Sequence, residues 1–171
     1  MNKKQKGFSL IELLIVVAII LIIAAIAIPN LLRARMAANE ASAVGTMRTI
    51  TTAEVTYQST YLLGFAPLAN LGGTAAACAV AGGATSAQAC LVDNAIVGGT
   101  KSGYKIATPV PAAIGTPAAP NNTFLATAAP VAAGQTGTST FCTDQSGVVR
   151  KDPTGVVIAT AVACQALNPL Q

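Results

Sequence analysis

Apolar residues run almost without a break from Phe8 to Ile28; only Ser9 and Glu12 interrupt them, and Lys3, Lys4 and Lys6 precede them. As a helix rising about 1.5 Å per residue, this stretch of about 21 residues spans roughly 30 Å, the thickness of one bilayer core. Positive charge ahead of a first span holds that end in the cytoplasm, so the rest of the chain is expected to face outward. A carboxylate inside such a segment is costly, and Glu12 therefore needs a reason.

Beyond Pro29 the pattern changes. Met36, Val44, Met47, Ile50, Val55 and Tyr61 recur at helical or nearby spacings with alanine between them. This predicts one continuous helix over 8–63, apolar all round in its first half and with one sheet-facing side in its second. Arg33, Arg35, Glu40, Arg48 and Glu54 are expected mostly off that side. Pro29 lacks a backbone donor and predicts a kink. Gly64, Pro67, Gly72 and Gly73 then stop the helix.

Residues 64–100 read as an Ala/Gly-rich loop between helix and sheet. Strands are predicted at Tyr104–Thr108, Thr123–Thr127, Ser139–Thr143, Val148–Arg150 and Val156–Thr160, with turns at Asp144–Gly147 and Asp152–Gly155. The fold class is α+β: a long N-terminal α-helix packed against a small C-terminal antiparallel β-sheet within 101–171. Tyr57, Tyr61 and Phe65 fall near the helix end and are expected to pack against that sheet.

Charge and composition then exclude several functions. The net charge is +4, and the leader over residues 1–7 holds three of the ten basic side chains. The remainder is nearly neutral, so no specific nucleic-acid partner is expected. Histidine is absent, and the six acids are scattered at Glu12, Glu40, Glu54, Asp93, Asp144 and Asp152. No nucleophile–base pair, cofactor loop or metal cluster can be assembled from this set, so neither an enzyme, a cofactor nor a metal is expected. Calcium at Asp144 and Asp152 is the minor alternative to plain turn formation. Cys78, Cys90, Cys142 and Cys164 in an exported chain read as two disulfides. Of three pairings, Cys78–Cys90 and Cys142–Cys164 are favoured because each closes a short loop. Each contributes roughly 3 kcal/mol on the chain-entropy model.

The run Gly7-Phe8-Ser9-Leu10-Ile11-Glu12, its basic leader and the spacing to Pro29-Asn30 resemble the processing region of the type IV pilin family, which includes the pseudopilins of type II secretion. The likeness is specific over about the first 35 residues. It implies a pilin-like fold, cleavage between Gly7 and Phe8 by a prepilin peptidase that also N-methylates Phe8, and pairing of Glu12 with the Phe8 ammonium of a neighbouring subunit. Each charge alone is expensive in low dielectric, and together they offset much of that cost. A carboxylate favoured by the dipole of its own helix is the simpler reading of Glu12. Many family members carry glycine midway between the acid and the proline; Leu21 stands there and favours helix. The resemblance further implies a C-terminal disulfide loop, closed here by Cys142–Cys164.

Arg33 and Arg35 read either as interfacial anchors or as inter-subunit partners of Glu40. The function expected is a structural subunit forming a helical homopolymer, the type IV pilus. Its partners would be the peptidase, inner-membrane assembly machinery and, before assembly, the membrane, where a single-pass precursor becomes a surface filament. A secretion pseudopilin is the alternative, and a minor adhesive or DNA-uptake pilin the second. An ordinary secretory signal peptide cut after Ala27 fits less well, because the apolar run exceeds the usual 7–15 residues and Glu12 would serve no purpose. A plain one-span anchor leaves Glu12 equally unexplained.

Overall fold

A computed structural model describes residues 8–80 and 82–170. The chain divides into two compact units at Arg35 and Met36, and helix α1 (Leu10–Tyr61) supplies residues to both. In the second unit, α1 buries Ala43, Thr46, Met47, Ile50, Ala53, Glu54 and Tyr57. Their steps of three and four residues form one stripe. Val55, expected on that stripe, is 56% exposed, whereas Glu54, expected off it, is fully buried.

The sheet has five strands in chain order, each antiparallel to the next: β1 (Thr100–Lys101), β2 (Tyr104–Val110), β3 (Leu125–Pro130), β4 (Thr140–Asp144) and β5 (Arg150–Asp152). Lys101 pairs with Tyr104 across a two-residue turn in which Ser102 and Gly103 both have positive φ. That mirror-image turn matches the natural strand twist. In the centre, Thr127 pairs with Cys142 and Ala128 with Phe141.

Side chains alternate across the sheet and build two cores. One face carries Tyr104, Ile106, Ala126, Ala128 and Phe141 into a cluster with the α1 stripe. The other carries Leu125 and Cys142 against Ile158 and Cys164. Every residue of β4 is buried, which a sheet covered on one side does not achieve. The second cover is the C-terminal segment. Val156–Thr160, predicted as a strand, forms none; Ile158 is buried while Val156 and Val157 are exposed. The segment leads into a one-turn helix, α5 (Ala161–Gln165), tied down by the Cys142–Cys164 disulfide. The tail then returns along β5, where the Leu170 amide donates to the Val149 carbonyl and the Lys151 amide to the Asn168 carbonyl. An otherwise bare sheet edge is thereby covered.

Residues 64–99 are more ordered than their composition suggests. They contain three single-turn helices, α2 (Leu68–Leu71), α3 (Ala75–Cys78) and α4 (Asn94–Val97). Thr74 and Asp93 cap α3 and α4 by accepting from the Ala77 and Ile96 amides. Phe65, Leu68, Leu71, Val92 and Ile96 enter the first core. The second disulfide, Cys78–Cys90, closes this segment. Phe65 packs on Phe124 at 4.8 Å, and Tyr57 lies 4.8 Å from Tyr61, so these rings are packing elements.

Glu40 fastens α1 to the β3–β4 connection. Its Oε1 accepts from the Thr138 amide at 2.9 Å, the Thr138 hydroxyl at 2.8 Å and the Ser139 amide at 3.2 Å. Lys151 Nζ stands 3.8 Å from Oε2. Burial alone would raise the Glu40 pKa, but the Thr138 donors, Lys151 and the Ser139 amide outweigh it and hold the carboxyl below its usual 4.5.

Two predictions follow from this packing. A depressed folded pKa means the Glu40 contribution is present above pH 4.5 and lost as pH falls below it. Glu40→Ala should therefore lower stability by about 1–3 kcal/mol at pH 7, with the difference shrinking toward pH 3, measured by denaturant melts. Cys142 and Cys164 are fully buried whereas Cys78 is exposed, so mild reductant should open Cys78–Cys90 first. Differential alkylation and peptide mass spectrometry on the native protein would show the order.

Candidate assembly segment

The N-terminal half of α1 has no cover of its own. The large apolar side chains from Leu10 to Ile28 are all exposed, with Leu10 at 75% and Ile28 at 57%, and Phe8 ahead of them is at 81%. The helix is long and apolar enough there to cross a membrane. A surface that is apolar all round has no water-facing side and must be covered by lipid or by other protein. Such a helix can insert and it can associate; it offers no group for chemistry.

Glu12 is the exception on that surface, and its place follows from local sequence. Ser9 stands immediately before the first helical residue, Leu10, and Glu12 is the third residue of the helix. The Glu12 Oε2 accepts from the Ser9 amide at 3.1 Å, one half of a Ser-x-x-Glu capping box. The acid thus sits in the first turn, where free amides and the helix dipole favour negative charge. Gly7, one side of the expected cleavage point, lies outside the described residues. Pro29 lies within α1, which continues through Ala24–Ile28 and beyond. Leu21 is consistent with that continuity.

The remaining expected site residues separate into different roles. Arg33 and Arg35 are exposed. Glu40, considered above as their inter-subunit partner, spends its acceptors on Thr138, Ser139 and Lys151 of its own chain. Asp144 and Asp152 do not converge as calcium ligands. Asp144 Oδ1 accepts from the Ser146 amide and hydroxyl and lies 3.4 Å from Arg150 Nη1. Asp152 Oδ1 accepts from the Thr154 amide at 2.8 Å and hydroxyl at 2.7 Å. Each closes its own turn. Among the described residues, no three His, Cys, Asp or Glu side chains gather to hold a metal.

One group escaped the sequence reading. Glu54 is fully buried, with Oε2 accepting from the Ala66 amide at 2.9 Å and Oε1 without a partner. Burial raises its pKa to about 7 against the single lowering bond from Ala66. The available signal was position: Glu54 lies four residues after Ile50 and three before Tyr57, on the stripe that both define.

Comparison with known proteins begins with this N-terminal segment. Residues 2–28 match the prokaryotic N-terminal methylation motif. The type IV wide pilus major component PilA4 of Thermus thermophilus is 66% identical over 38 residues, 22% of this chain and 29% of that protein. The type IV major pilin protein PilA of Myxococcus xanthus is 43% identical over 58 residues, 34% of this chain and 26% of that protein. The match thus spans under a third of either relative's length. No solved structure matches. Over part of its length the chain is thus similar to two type IV major pilus components, and it carries the methylation motif at the head of α1, ahead of an α+β fold.

Proposed function

We propose that this chain is a structural subunit that polymerises through its N-terminal helix into a type IV pilus. The observation that carries the proposal is the uncovered apolar helix with Glu12 in its first turn, inside a segment that matches the methylation motif. On this reading a membrane peptidase cuts between Gly7 and Phe8 and the new Phe8 amine is methylated. The precursor waits in the inner membrane with its lysine-rich leader in the cytoplasm.

Assembly then exchanges partners at Glu12. The Ser9 amide is a neutral donor, whereas the Phe8 ammonium of a neighbouring subunit carries full charge. In a low-dielectric surrounding the charged pair is the stronger interaction, and it fixes axial register. The apolar helix surfaces cover one another as the subunits stack. A head-to-tail contact of this kind does not close and yields a fibre. The two relatives, both major pilus components by name, favour the pilus. A type II secretion pseudopilin would share this whole segment. Recovery of the protein from sheared surface fibres or only from the membrane separates the two.

Intact mass and N-terminal peptides from sheared fibres should give a chain that begins at methylated Phe8; one beginning at Ile28 would overturn the reading. Gly7→Glu should leave a precursor that keeps its leader. Glu12→Ala should insert and be cleaved, yet fibre yield should fall about tenfold or more, the consequence of losing about 1.4 kcal/mol per contact. Fibre yield at the parental level would sink the Glu12 pairing.

A further inference from the structure

Glu54 is placed where a charge has nowhere to go. It projects from α1 into the first core, fully buried, with one donor, the Ala66 amide, and one oxygen that has none. Ala66 belongs to the turn by which the chain leaves α1. Leu62 and Gly64 there have positive φ, and a Cβ on Gly64 would come within 2.2 Å of the Asn121 carbonyl. The far side of the turn is held independently: the Phe65 amide donates to the Asn121 carbonyl, and the Leu68 amide to Thr108 Oγ1 at 2.8 Å.

Among the described residues, no cation stands beside Glu54 to neutralise its ionised form. On α1 the neighbouring titratable groups are Tyr57 and Tyr61, both acids, and the Tyr57 hydroxyl is committed to the Ser86 carbonyl. Residues 62–92 contain no charged side chain at all. On β2, Lys105 is exposed between buried Tyr104 and Ile106 and so points away; β3 holds no titratable residue. On β4, Asp144 alternates with Phe141 and Thr143 and lies on the opposite face. Glu40 and Lys151 pair with one another some 14 residues back along the helix, roughly 20 Å away.

We propose that Glu54 is a proton-operated latch: neutral, it holds the Phe65–Leu71 turn against α1, and ionised, it releases that turn to solvent. The hinge is the Leu62–Gly64 joint, where both Leu62 and Gly64 have positive φ. The direction follows from linkage. The closed form keeps its proton up to about pH 7, the open form only to the ordinary 4.5. Closure is therefore favoured fully below pH 4.5, weakens through the interval up to about 7, and is level above it.

The test uses the full chain in detergent micelles. The hydrogen-exchange protection factor of the Ala66 amide, corrected for intrinsic exchange, should fall about 70-fold between pH 5 and pH 8 on those two pKa values. The Thr143 amide in β4 should not share the fall, and Glu54→Gln should abolish it. Equal protection of Ala66 at both pH values, or the same fall in Glu54→Gln, would overturn the latch. If Glu54→Gln does not fold, the Glu54 side-chain carboxyl carbon in the parent chain decides by NMR: a midpoint near 7 supports the latch, and one near 4.5 overturns it.

Discussion

Everything in this molecule follows from an unsatisfied surface. The large apolar side chains of α1 from Leu10 to Ile28 are exposed. Burying apolar area stabilises by about 25 cal/mol per Å², so leaving this area in water is not a stable option. Lipid or other protein can cover it. The single carboxylate on that surface, Glu12, stands in the first turn, where the helix dipole favours negative charge. Its bond to the Ser9 amide shows how the chain by itself satisfies that acid.

The second half of α1 meets the opposite demand. It presents small residues, Ala43 and Ala53, between the larger Met47, Ile50 and Tyr57, and meets a sheet whose central strand is itself Ala-rich. Small residues on both surfaces allow close approach but bury little area each. The chain adds what such a core lacks: a second layer over the far face, two disulfides and a set of side-chain-to-backbone bonds from Asn39, Glu40, Glu54 and Tyr57. Polar anchors make the joint specific, since each needs its one partner.

Two of these anchors are carboxylates of contrary character. Glu40 has three donors and a lysine near it and is held as an anion; Glu54 has one donor and apolar walls and favours its proton. The same side chain on one helix is thus held as an anion in one place and favours its proton in the other. The difference lies in what the facing segment offers, Thr138 and Ser139 against Phe65 and Ala66.

The N-terminal segment was legible in sequence because its signals are local. A run of apolar residues, an acid near its start and lysines ahead of it act through nearest neighbours and through the surrounding medium. The helix, the α+β class and most strands were legible for the same reason, their periods lying within a few residues. What the tertiary structure alone decided was non-local. Val156–Thr160 has strand propensity, yet it crosses to the far face because β5 is already edged by the tail and Cys164 is drawn to Cys142. The 64–99 segment looked like loop because its core residues are scattered without a period, and only contact with α1 orders them. Glu40 and Glu54 look alike in sequence. Their partners lie 98 and 12 residues away, and the free energy of a charge depends on those partners and not on its neighbours in the chain.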